Sequence, residues 1–192
     1  TLFVTTGDNA SFDSADMGSA SETYFQQAVN DGIMRPTENV GAFRAQLINS
    51  FCGKLLRLDP ATGDAIPSNP YYDAANPRSA KSCTWALGFR NPYRMSFKSG
   101  TGSTNRADGN PGTLIIGDVQ NGTWEEIHVI EKGGVNCGWP LYEGIGPQYI
   151  FYDSGKINPE EPGSQTFASR CVRGGKANIN NPIPSQRRFS HA

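Results

Sequence analysis

An all-β fold of short strands and long loops is what this sequence predicts, and three observations predict it. Glycine and proline account for 22 and 13 of the 192 residues, which interrupts the chain too often for long helices. Apolar residues fall in short runs or in alternation, as at residues 54–58 (KLLRL) and 126–130 (EIHVI), the pattern of strands buried on one or both faces. Turn-forming clusters bracket these runs, with Gly-Asp-Asn at 7–9 and Pro-Ala-Thr-Gly at 60–63, where glycine and proline supply the backbone angles a tight turn needs. The length is sufficient for one domain with a real core.

The elements follow in order. Residues 1–6 read as a strand closed by the turn at 7–9. Residues 10–41 are polar and irregular, with a short helix expected over 22–29. Residues 42–50 suit one or two helical turns. Residues 52–59 form the next strand, with Leu56 and Leu58 on one face and Lys54 partly exposed beside them. A proline-containing loop covers 69–79, strands are expected at 82–87 and 94–97, and 101–111 is an exposed Gly/Asn/Asp loop. Strands follow at 114–117 and 126–130, and 133–138 is a turn region. Residues 141–192 are loop-rich, with one strand near 149–152. There is no strict internal repeat, and periodicity fits a sandwich and a propeller equally.

Composition also sets limits. The net charge is −1, so no basic surplus points to nucleic acid or to an anionic membrane. No apolar run approaches the ~18 residues of a membrane-spanning helix. The four cysteines, Cys52, Cys83, Cys137 and Cys171, have no Cys-x-x-Cys spacing, which argues against a cysteine zinc site. An even count with low charge fits a secreted protein with up to two disulfides, and four buried thiols are the alternative. Sequons at Asn9 and Asn121 mark two glycosylation candidates and fit an extracellular or periplasmic location. The opening strand pattern, without methionine or leader, reads as an internal start, and residues 186–192 show no closing element. Both ends are therefore expected to continue into further protein.

Four segments carry a resemblance. They are residues 1–8 (TLFVTTGD), 53–70 (GKLLRLDPATGDAIPSNP), 85–97 (WALGFRNPYRMSF) and 114–144 (LIIGDVQNGTWEEIHVIEKGGVNCGWPLYEG). In their order and spacing they resemble the soluble quinoprotein glucose dehydrogenases and aldose sugar dehydrogenases, the glucose/sorbosone dehydrogenase family. Residues 1–144 carry the resemblance, and the whole of 1–192 is expected to be part of one such domain. The resemblance implies a six-bladed β-propeller of four-stranded sheets, of which this chain supplies about three blades. Half a propeller has open sheet edges, so the remainder of the propeller, or an adjoining chain, is an expected partner.

The resemblance further implies pyrroloquinoline quinone (PQQ) and Ca²⁺ as cofactors and a small sugar as substrate. Arg90 and Asn91, within Arg-Asn-Pro, match the residues set against quinone and substrate. Arginine offers a fixed fork of donors to a carboxylate or quinone oxyanion. Gln120 and Asn121 match the positions whose backbone carbonyls hold calcium, a cation that accepts oxygen ligands of this kind. Glu126, after Glu125, matches an acidic residue near that metal. A glycan on Asn121 would compete with quinone at this mouth. Asp8 and Asp13 follow the first strand, in the loop that lies over the sugar; Asp13 is the substrate candidate and Asp8 caps a turn. Gly-Gly-Val-Asn-Cys-Gly-Trp-Pro at 133–140 resembles a family turn anchored by Trp139, with Val135 inserted and Cys137 replacing an aromatic residue. Pairings of Cys137 with Cys171 and of Cys52 with Cys83 are candidates, although sequence does not fix connectivity.

Of the two histidines, His128 reads as a partly exposed strand residue, and His191 matches no catalytic position. No catalytic residue is expected within this chain. The family's histidine base precedes the segment matching residues 1–8, so the chain alone is expected to be inactive. Three readings follow. The first is part of an extracellular PQQ- and calcium-dependent dehydrogenase acting on the anomeric carbon of aldoses. The second is a non-catalytic secreted propeller serving as a binding or extracellular-matrix module. The third is a calcium-stabilised carbohydrate-binding module. Fold alone does not choose among them.

Overall fold

A computed structural model describes residues 1–11, 15–18 and 24–169. Strands dominate, with only short helical turns between them. In the first sheet β1 (Leu2–Thr6) pairs antiparallel with β2 (Lys54–Leu58), from Leu2 opposite Leu58 to Thr6 opposite Lys54. β2 pairs antiparallel with β3 (Thr84–Leu87), with a bulge at Leu55/Leu56. In the second sheet β4 (Pro92–Phe97), β5 (Leu114–Asp118) and β6 (Glu126–Ile130) form an antiparallel meander. The chain then returns, and β7 (Val135–Asn136) adds to β3 in parallel, completing a four-stranded first sheet.

Alternation explains the second sheet. Leu114, Ile116 and Asp118 are buried while Ile115 and Gly117 are only half-buried, the period of two that a pleat imposes. The buried set faces the first sheet. Leu55, Trp85 and Phe89 meet Leu114, Ile116 and Ile130 in one core. Phe3 joins it with edge-on contacts to Trp85 at 6.3 Å and Phe97 at 5.6 Å, within the range where aromatic pairs attract. A second cluster packs Phe43, from a 3-10 turn at Gly41–Gln46, against Phe151, Phe167 and Trp139.

The turn between β3 and β4 determines where the site lies. Gly88 donates to the carbonyls of Ala45 and Gly53, both at 3.1 Å. Its φ is +82°, and a Cβ there would lie 2.3 Å from Asn136 Oδ1, so no other residue fits. The chain leaves this knot directly into Phe89-Arg90-Asn91.

Several expectations are corrected. Strand 82–87 begins as a helical turn, α2 (Ala80–Cys83), because the Ser79 side chain caps it at Ser82 N; only Thr84–Leu87 is strand. The strand near 149–152 is a helical turn, α3 (Tyr149–Tyr152), whose Phe151 enters the second cluster. The turn region 133–138 contains β7. The helix expected over 22–29 is α1 (Tyr24–Asn30). Lys54 is fully buried, its ammonium donating to the carbonyls of Arg44, Ala45 and Cys52.

Cys52 and Cys83 are not paired with each other. The register places Lys54 opposite Leu87 and Leu56 opposite Thr84, so the two cysteines lie beyond opposite ends of the β2–β3 pair. That separation is about 15 Å at the rise of a strand, well past the reach of a disulfide. Cys171, Asp13 and His191 lie outside the described residues. Among the described residues no helix is long and apolar enough to cross a membrane.

Candidate functional site

The candidate site forms where both sheets end, and Asp118 organises it. Asp118 closes β5, opposite Pro92 on one side and Glu126 on the other. Its carboxylate accepts the backbone N–H of Arg90 at 3.0 Å and of Asn91 at 2.7 Å. Buried N–H groups need such partners, and here one carboxylate holds both residues of the Arg-Asn-Pro segment. Asp8, two residues past β1, donates its N–H to Arg90 O at 2.8 Å. Segments more than eighty residues apart thereby converge.

Arg90 is half-buried and Asn91 is exposed. The Arg90 guanidinium donates to Val119 O at 3.1 Å and to Asn121 Oδ1 at 3.2 Å. It also lies over the Trp139 ring at 5.6 Å, within cation–π range. Trp139 donates its indole N–H to Asp8 at 2.6 Å. Burial pushes the Asp8 carboxyl above its ordinary pKa, while the Ala10 amide, the Trp139 indole and the charges of Arg90 and Arg44 oppose that rise. Asp8 and Trp139 are thus more than a turn cap and an anchor: together they brace Arg90.

The expected metal positions divide. Gln120 and Asn121 lie on the loop after β5, with Asn121 exposed beside Arg90 and the Gln120 side chain buried. Among the described residues neither of their carbonyls accepts a backbone hydrogen bond. Glu143 fixes this loop. From β8 (Tyr142–Glu143), paired with β9 (Gly146–Pro147), it accepts the N–H groups of Asn121 at 2.5 Å and Gly122 at 3.2 Å, the Thr123 hydroxyl and the Gln148 amide. Glu126 instead turns inward. It accepts the Gly144 N–H at 2.8 Å and faces His128 at 3.8 Å. Burial raises its pKa to about 7, against the pull of His128.

His128 is fully buried, not partly exposed. It is opposite Ile116 on the core face, edge-on to Phe89 at 5.3 Å, with Nε2 at 3.3 Å from Asp118. Burial opposes its charge, yet the Cys137 sulfur and the Asp118 carboxylate hold its pKa well above the usual imidazole range. The Cys137 thiol is pushed up by its own burial.

Sequence reasoning missed Asp118 and Glu143. The signal for Asp118 was its place as the third member of the buried period in 114–118. Glu143 gave none, because the loop it holds, Asn121–Thr123, lies twenty or more residues before it. Asn9 and Asn121, the sequon residues, are both exposed.

Two cavities lie near this rim, and only the smaller is lined by Arg90. A narrow one of about 20 Å³ lies between Asp8, Arg90, Asn121 and Trp139. A larger cleft of about 470 Å³ runs past Asp16, Tyr24, Phe25, Met34 and Arg44. Both are lined by Ala10, Ser11 and Asp16.

The fold and site define an all-β domain whose polar groups gather at one end of its sheets. The glucose/sorbosone dehydrogenase family model matches residues 1–167, and the chain belongs to that family. It is similar to the HIPL2 protein of Arabidopsis thaliana, 35% identical over 122 residues, or 56% of this chain and 15% of that protein. It is likewise similar to the HIPL1 protein of the same plant, 36% identical over 115 residues, or 52% of this chain and 15% of that protein. The matched region thus spans about 15% of each curated relative's length.

Proposed function

We propose that this chain supplies one wall of the active site of an extracellular, PQQ- and calcium-dependent aldose dehydrogenase. The domain is read as a six-bladed propeller to which this chain gives about three blades. The carrying observation is the convergence of Arg90, Asn91 and Asn121 on one rim, with Asp118 holding that rim from β5 and Asp8 from the turn after β1. Asn91 is exposed there and Arg90 presents a cation, and both suit the carboxylates of a quinone. The carbonyls of Gln120 and Asn121 suit calcium, which tolerates backbone oxygen. The quinone, when bound, accepts a hydride from the sugar. This chain's residues bind and orient it: Arg90 and Asn91 hold its polar edge, and Glu143 keeps the loop of Gln120 and Asn121 in one shape. The cleft of about 470 Å³ is ample for a monosaccharide, and Asp13 is the proposed substrate contact. The proton-accepting histidine and the remaining quinone contacts come from the rest of the propeller. Secretion and glycosylation at Asn9 belong to the same reading, and a glycan at Asn121 would close the mouth.

One observation favours a second reading, a non-catalytic binding or matrix propeller. Arg90 already bonds Val119 and Asn121 and stacks on Trp139, and the cavity beside it is small. Titrating the full-length parent with PQQ and calcium, then adding aldoses, separates the two. Saturable binding and sugar-dependent bleaching are expected, with Arg90→Ala weakening quinone binding about 10- to 100-fold, the value of a charge-assisted hydrogen bond. Absence of binding at high calcium overturns the enzyme reading and leaves the second.

A further inference from the structure

Behind the Arg90–Asn91 backbone lies a group of buried side chains, of which Asp118 alone has a part in the proposed site, holding that backbone. Asp118, Glu126 and His128 present one oxygen, one oxygen and one ring nitrogen, all within 4.8 Å of one another and all buried. They reach that arrangement through sheet register. Asp118 and Glu126 are direct cross-strand partners, and His128 is two residues along β6 on the same face.

We infer that Asp118, Glu126 and His128, with Gln120, bind one zinc-class divalent cation. Ligands about 2.1 Å from a tetrahedral ion lie about 3.4 Å apart. The His128 nitrogen lies 3.3 Å from Asp118 and 3.8 Å from Glu126, so the triangle needs little change to close on an ion. With an ion bound and their protons displaced, two carboxylates and a neutral imidazole carry a formal charge of −2, which a divalent cation cancels in a place shielded from water. Gln120 is a separate observation. It is 6% exposed, its amide nitrogen contacts Asp118 at 3.1 Å, and its Oε1 is buried with no hydrogen-bond partner. Rotating that amide by half a turn brings the unbonded oxygen to the cluster as a fourth ligand.

The nitrogen ligand sets the metal class. Imidazole suits zinc and its neighbours, whereas calcium takes six or more oxygens. This position is therefore different from the loop carbonyls of Gln120 and Asn121. The absence of Cys-x-x-Cys does not bear on it, since no cysteine is a ligand. Cys137 instead contacts the imidazole as a hydrogen-bond partner, the kind of outer support that fixes a ligating histidine. The ion would tie β5 and β6 to the Arg90–Asn91 backbone through Asp118.

The test uses the full-length parent, stripped with a chelator and then dialysed against Zn²⁺ in excess Ca²⁺. Bound metal is counted by mass spectrometry in the wild type, His128→Asn and Glu126→Gln. The wild type is expected to retain one more zinc equivalent than either variant, and Zn²⁺ affinity to fall at least tenfold in both. Co²⁺ should give visible ligand-field absorption in the wild type that Zn²⁺ abolishes. Equal zinc content in all three proteins, or calcium retained in place of zinc, overturns the site. If His128→Asn fails to fold, Glu126→Gln and the wild-type Co²⁺ spectrum decide. None of these readouts depends on quinone binding.

Discussion

At the scale of single residues, Lys54 is the most unusual group. It is fully buried, and its burial lowers its pKa to about 7 despite nearby opposing charges. The sign of its effect on stability follows from linkage. The unfolded lysine keeps its proton up to about 10.5 while the folded one releases it near 7, so the unfolded state binds more protons between those values and stability rises with pH there. Lys54→Met should remove that rise, which denaturant titrations at pH 7 and pH 10 would show. Trp139 offers a second test. Trp139→Phe keeps the packing on Phe151 but removes the indole donor from Asp8. Leaving a buried carboxylate short of one donor costs about 1–3 kcal/mol, and the chemical-denaturation midpoint should fall accordingly. Neither environment was legible in the sequence. Lys54 takes two of its acceptors from Arg44 and Ala45, and Asp8 meets Trp139 across 131 positions, whereas sequence patterning reports only neighbours along an element.

At the scale of elements, β2, β5 and β6 were legible because their apolar residues mark a pleat directly. β6 matches its expected bounds of 126–130, and its alternation also places Glu126, His128 and Ile130 on one face. What the alternation could not show was which face is buried, and so His128 read as partly exposed. The helical turns at Ala80–Cys83 and Tyr149–Tyr152 were hidden for another reason. Each is only four residues long, too short for helical periodicity, and each is held by a local cap or by one buried aromatic side chain. The turn at Gly88 is where an element-scale test is sharpest. Gly88→Ala would place a methyl against Asn136 and the Gly138 backbone at positive φ. Strain of about 1–3 kcal/mol is expected from the backbone alone, with the clash adding to it. Because this turn aims Arg90, the same variant should weaken quinone binding in the parent more than its loss of stability explains.

At the scale of the whole molecule, the two sheets share one core face, and the opposite face of the second sheet is left partly apolar. Ile115 and Val129 are half-buried there and Ile127 is 37% exposed, with Arg94 beside them. A six-bladed arrangement would cover this face with the next blade, since blades pack sheet on sheet. The proposal makes opposite predictions for two samples. In the full-length parent, Ile127→Lys should bury an unpaired charge between blades, lower the melting temperature and cost about 2 kcal/mol or more. In the isolated segment 1–169, the same change replaces an exposed apolar side chain on an open sheet face with a charge, and should raise solubility and reduce self-association in size-exclusion chromatography. If the parent tolerates the lysine without loss of stability, that face is open to water in the complete protein, and the chain does not sit between two blades as proposed.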